Sequence, residues 1–158
     1  MALNLSPANM LSEMIAFAAQ KHKGQTDKGG NPYILHPLAV MGMLGPDSDL
    51  ELKCIAVGHD LVEDCKVTYQ DLRDLGMSDR VIDGIRCLTK VPGETYQEYK
   101  SRVLSNEDAM QVKQRDLQHN SDIRRLKGVG TPQDDERLRK YAIFHKEIQG
   151  KLSMSLGG

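Results

Sequence analysis

The sequence has no tryptophan and only two phenylalanines, so it lacks the large rigid rings that dominate many small cores. Its interior must come from aliphatic side chains and eight methionines, a mixture that suits packed helices. No stretch alternates apolar and polar residues for long enough to make a convincing strand. An excess of one charge is also missing: 21 Lys and Arg stand against 22 Asp and Glu, a formal charge of -1. That balance gives no support for a nucleic-acid or membrane surface, and basic and aromatic residues are not interleaved. A local basic patch can still hold a small anion. Cys54, Cys65 and Cys87 contain no CxxC pair and cannot all pair with one another. They read as reduced thiols in a cytoplasmic protein. The first residues carry no basic segment and Glu13 interrupts their apolar run. Neither a signal peptide nor a transmembrane span is expected.

What is present reads as helices. At 158 residues the chain is expected to form one domain with a sizeable core. Ser6-Pro7 is a cap followed by proline in the first turn, and the helix it starts runs to about His22. Gly24 to Pro32 is a loop. A short helix follows from His36-Pro37 to about Leu44, and a central one from about Asp49 to Cys65. Thr68 and Ser78 cap helices ending at Gly76 and about Leu88. Thr95 to Ser105 and Asp108 to Leu126 are further helices. Lys127 to Pro132 connects to a last helix from about Gln133 to Leu152. The expected fold class is all-α.

The chain is organised around Gly58-His59-Asp60-Leu61-Val62-Glu63-Asp64. On a continuous helix His59, Asp60, Glu63 and Asp64 would share one arc, with Cys54, Ile55, Val57, Leu61 and Val62 mostly opposite. Three carboxylates beside a core repel one another unless something cationic sits among them. A solvated acidic face accounts for the charge but gains nothing from an imidazole, whereas a divalent metal accounts for both. His36, fixed beside Pro37, and Asp116, His119 and Asn120, on one helix face, are the side chains able to complete such a site. Two histidines and two aspartates make a mixed nitrogen and oxygen set suited to Mn²⁺, Fe²⁺ or Zn²⁺.

Four blocks carry a family resemblance: Lys21-His22-Lys23-Gly24-Gln25, Pro32-Tyr33-Ile34-Leu35-His36-Pro37, His59-Asp60-Leu61-Val62-Glu63-Asp64 and Lys113-Gln114-Arg115-Asp116-Leu117-Gln118-His119-Asn120. In this order they resemble the HD-type hydrolase domain of the Rel/Spo alarmone enzymes, over roughly residues 10 to 127. In length the chain looks like the stand-alone small alarmone hydrolases. The resemblance implies an HD-type helical bundle holding Mn²⁺, with His36, His59, Asp60 and Asp116 at the ligand positions. It implies that Glu63 and Asp64 form the catalytic acidic pair and that Asn120 contacts the nucleotide or its ribose. The implied reaction removes the 3′-pyrophosphate of guanosine tetra- or pentaphosphate, giving GDP or GTP. The family's synthetase domain has no room in the chain, so degradation without synthesis is expected. Asp27 stands where many members carry arginine, and Ile123 replaces a threonine of the long bifunctional enzymes.

Chemistry assigns the remaining roles. Glu63, one turn beyond His59, is placed to take a proton from water, and Asp64 to hold water or protonate the leaving ribose oxygen. Lys21, Lys23 and Lys28 flank the loop near His36 and are candidates for phosphate; with Asn120, which the resemblance implies, Lys21 and Lys28 are the expected substrate contacts. His22 is expected to pack beside the loop, His145 to be exposed, and Tyr33 to be a wall residue. Cys65 beside the carboxylates is not expected to be a nucleophile. Two rival functions fit the same residues: an HD phosphohydrolase on another nucleotide, such as the 2′-phosphate of NADPH, and an inert antitoxin-like binding partner.

Overall fold

The computed structural model describes residues 4–125 and 130–156. Helix starts follow the cap chemistry of the sequence. Ser6 accepts from the Asn9 amide to start α1 (Pro7–Lys21), and Asp49 accepts from Leu52 to start α3 (Leu50–Gly58). Thr68 and Thr95 make reciprocal capping boxes with Asp71 and Glu98, opening α5 (Tyr69–Leu75) and α7 (Tyr96–Leu104). Ser78 caps α6 (Asp79–Leu88) and Asn106 caps α8 (Glu107–Asn120). Between them lie α2 (Leu35–Met43) and the single turn α4 (Leu61–Asp64), and α9 (Pro132–Leu156) closes the order. Gly76 stops α5 with φ of 101°, a conformation that favours glycine. The described residues contain no strand, only an isolated bridge between Thr26 and Pro32. No helix among them is long and apolar enough to cross a membrane.

Helix α3 is the middle of the molecule. Cys54, Ile55, Ala56 and Val57 are all fully buried, so the helix is covered on every side, as expected of a central helix. It packs against α1, α2, α6 and α8. The approach of α6 depends on Gly84, where an added Cβ would meet Ile55 Cδ1 at 2.5 Å. Phe144 and Ile148 anchor α9, and Phe144 stacks edge-on against Tyr96 and Tyr99 of α7.

One expectation fails at an informative place. The helix expected from Asp49 to Cys65 breaks: α3 ends at Gly58, His59 and Asp60 form a turn, and α4 restarts at Leu61. His59 Nδ1 takes the Ala56 carbonyl at 2.6 Å, an acceptor in the last turn of α3. Both turn residues keep right-handed angles, so hydrophobic periodicity passes through without registering the break. Elsewhere the differences are small. The helix expected to reach Leu126 ends at Asn120, followed by a 3₁₀ turn at Ile123–Arg125, and α9 runs four residues past Leu152, to Leu156. Of the expected connector from Lys127 to Pro132, residues 127–129 lie outside the described residues.

Candidate metal centre

Three segments meet at the break after α3. The loop before α2 and Pro37 fix His36 in the first turn of α2; the turn supplies His59 and Asp60; α8 supplies Asp116. His36 Nε2 lies 2.9 Å from Asp116 Oδ1 and 3.8 Å from Asp60 Oδ2. His59 Nε2 lies 3.2 Å from Asp60 Oδ2 and 3.4 Å from Asp116 Oδ1. One ligating atom each from His36, His59 and Asp60 falls within 4.8 Å of the others.

A second set of groups holds these four. The Tyr33 hydroxyl donates to Asp60 Oδ2 at 2.6 Å, more than the wall role expected of it. Asn120 Nδ2 donates to Asp116 Oδ1 at 3.0 Å, and Lys113 Nζ to Asp116 Oδ2 at 2.9 Å. His36 Nδ1 and His119 Nδ1 are 2.7 Å apart. Such partners fix the orientation of ligands.

The electrostatics fit a cation. Burial alone would lower the pKa of His59, but the Asp60 and Asp116 carboxylates outweigh it and raise it to about 9. Burial opposes the Asp116 charge, yet Lys113 and the two imidazoles hold its carboxyl well below the usual range. Burial, then Asp60 and Glu63, pushes Asp64 up. The decisive atom is His59 Nε2: it is buried, makes no hydrogen bond, and is flanked by two carboxylate oxygens. A buried nitrogen without a partner is costly. A divalent ion among these donors would satisfy it, so the residues present fit a metal.

Glu63 and Asp64, on α4, line a cleft of about 160 Å³ with the four candidate ligands. Glu63 Oε1 accepts from the Lys90 amide at 2.8 Å, which ties α4 to the end of α6. A larger cavity of about 440 Å³ adjoins, sharing Tyr33, Asn120 and Tyr141 and lined also by Asp27, Lys28, Arg125 and Arg137. Asn120 and Lys28 thus line the cavity walls. Lys21 does not: it is exposed at the end of α1 with Nζ 5.3 Å from the centre of its own Phe17 ring. Lys23 is exposed as well. Asp27 Oδ2 sits 3.6 Å from Arg125 Nη2, pairing the loop to the 3₁₀ turn that follows α8.

Several residues at the cleft and in the adjoining cavity carried no sequence signal of a role. Lys90, Arg137 and Tyr141 come from remote segments that no local spacing links to His59. Lys113 was readable, since it precedes Asp116 by three residues on one helix face. His22 packs as expected, with Nδ1 2.8 Å from Gln25 Oε1. Cys65 has a raised pKa, from burial first and then the Asp64 and Asp60 charges, and is no activated thiol. His145 departs from expectation: it is half-buried, its Nε2 3.1 Å from Gln118 Nε2 across the α8–α9 contact.

No protein-family model matches the chain. Its sequence is similar to the bifunctional (p)ppGpp synthase/hydrolase SpoT of Escherichia coli strain K12, 30% identical over 158 residues, covering 93% of this chain and 22% of that protein. A guanosine-3′,5′-bis(diphosphate) 3′-pyrophosphohydrolase of Vibrio cholerae is 31% identical over 155 residues, with the same coverages of 93% and 22%. The pyrophosphohydrolase MESH1 of Danio rerio is 36% identical over 90 residues, 52% of this chain and 50% of that one. Among solved structures, one described as "A metazoan ortholog of SpoT hydrolyzes ppGpp and plays a role in starvation responses" superposes with a TM-score of 0.71. It is 26% identical and the match covers 94% of this chain and 88% of that one. The chain spans 22% of the length of the two bacterial relatives and half that of the Danio rerio protein.

Proposed function

This chain is a homologue of the SpoT and MESH1 (p)ppGpp hydrolases, and from that premise we propose that it hydrolyses the 3′-pyrophosphate of guanosine tetra- and pentaphosphate. Water adds to the phosphorus attached to the 3′ oxygen, the P–O3′ bond breaks, and GDP or GTP and pyrophosphate leave. The observation that carries the reading is the unpartnered His59 Nε2, set between two carboxylates beside the acidic pair Glu63 and Asp64. His36, His59, Asp60 and Asp116 would hold the ion, for which we propose Mn²⁺. When bound, a divalent ion supplies acidified water and offsets phosphate charge.

The chain's own residues do the rest. Glu63, held through one oxygen by the Lys90 amide, has its other oxygen to take a proton from the attacking water. Asp64, whose pKa burial and neighbouring carboxylates raise, delivers a proton to the departing 3′ oxygen. Lys28 and Asn120 line the adjoining cavity, which supports contacts from them to the nucleotide's phosphate and ribose. Lys21 has no part in that wall. The proposed setting is cytoplasmic, in keeping with the three free cysteines among the described residues.

The test is a side-by-side assay of purified protein, with and without Mn²⁺, on guanosine tetraphosphate and NADPH. Pyrophosphate release from the first, dependent on metal, is the expected result. Phosphate release from NADPH with none from guanosine tetraphosphate would transfer the site to the other nucleotide. Inertness toward both and toward a broader nucleotide panel would favour a binding partner that only keeps the fold.

A further inference from the structure

The two candidate-ligand imidazoles, His36 and His59, face the same chemical requirement. To ligate through Nε2, each must carry its proton on Nδ1, and only a fixed acceptor at Nδ1 selects that tautomer. For His59 the acceptor is backbone, the Ala56 carbonyl at 2.6 Å. For His36 the Nδ1 partner is a side chain, Nδ1 of His119 at 2.7 Å, with the two rings stacked at 5.0 Å and 23°. His119 sits three residues after Asp116 on α8, and its own carbonyl accepts from Arg125 Nη1 at 3.0 Å. The helix that brings in the Asp116 carboxylate therefore also brings in the group against His36.

We propose that His119 is a positioning residue: its Nδ1 accepts the Nδ1–H of His36 and so leaves the Nε2 lone pair of His36 for the ion. In this arrangement His119 carries its own proton on Nε2, and one nitrogen of each ring donates while the other is free to accept. In the reverse arrangement His119 donates, the His36 proton moves to Nε2 opposite Asp116 Oδ1 at 2.9 Å, and no lone pair is offered to a metal. The inference rests on the metal-centre reading of the site.

His119→Phe keeps a stacked ring and removes the acceptor, whereas His119→Gln keeps an acceptor oxygen. Mn²⁺ binding, read as the loss of the free-ion electron paramagnetic resonance signal, is expected to weaken on the order of 10- to 100-fold in His119→Phe. The Gln variant is expected to recover most of that loss. A ring that merely packs would leave the Phe variant unchanged, so Mn²⁺ affinities within two-fold of wild type in both folded variants overturn the assignment. Long-range ¹H–¹⁵N spectra of the Zn²⁺-loaded wild type decide the matter even if neither variant folds. They should show His119 protonated at Nε2 with its Nδ1 bare against His36, and a proton on His119 Nδ1 overturns the role. Wild type that binds no Mn²⁺ or Zn²⁺ would instead overturn the metal-centre reading itself.

Discussion

Glu63 and Lys113 separate chemistry from support. Glu63 is exposed in the cleft and has one oxygen tied to the Lys90 amide, so its replacement leaves the four candidate ligands in place. Glu63→Gln is expected to bind Mn²⁺ as wild type does and to lose turnover by about 10²- to 10⁴-fold, the range for a general base. Equilibrium metal titration and single-turnover assays check the two halves, and retained turnover would contradict the role. Lys113 is 15% exposed and holds the second oxygen of Asp116, which is 7% exposed. Removing one member of a buried pair leaves the other charge without a partner. Lys113→Met should therefore cost about 3 kcal/mol in urea unfolding without metal. A bound cation supplies the missing charge, so the deficit should shrink when Mn²⁺ is added. An equal deficit with and without Mn²⁺ would place Lys113 outside the electrostatics of the centre.

The elements were legible where local chemistry decides them. Ser6, Thr68, Ser78 and Thr95 announce helices because each offers an oxygen to an amide three residues on. The break at His59-Asp60 was not legible, because it depends on where one imidazole finds its acceptor rather than on the pattern of apolar residues. That break nevertheless turns Glu63 and Asp64 toward the cleft. Contacts between elements were equally hidden. Arg80 of α6 bonds Asp49 at the start of α3, Glu51 in its first turn and Asp108 in the first turn of α8. The Leu52 amide first, and Arg80 after it, hold Asp49 below its ordinary pKa. A depressed carboxylate stabilises the fold above its unfolded pKa of about 3.9, and the contribution fades as pH falls through the folded value. Arg80→Ala should thus be less stable than wild type at neutral pH, by about 1 kcal/mol or less for so exposed a network. The gap should narrow at acid pH, once the pH has fallen through the lowered pKa of Asp49. Urea unfolding at the two pH values measures it, and a gap that widens on acidification would contradict the account.

At the scale of the whole molecule, the bundle gathers into one place what the sequence spreads over more than eighty residues, from Tyr33 to Asn120. The four Rel/Spo-like blocks pointed to a family and an all-α fold that the relatives and the structure bear out. They pointed also to His36, His59, Asp60 and Asp116, whose side chains the fold brings together. Nothing in those blocks could place Lys90 and Tyr141 at the cleft or Arg137 in the adjoining cavity, because their nearness depends on how α9 and the segment after α6 pack. Nor could they show that Lys21 points along its own helix. The whole account depends on one ion seated between α2, the turn after α3, and α8. Anomalous diffraction from a crystal soaked in manganese salt tests this most directly. The predicted result is a single strong peak bonded to His36, His59, Asp60 and Asp116, with Glu63 beside it. A crystal with no peak there, or with His36 and Asp116 turned away from His59, would contradict it.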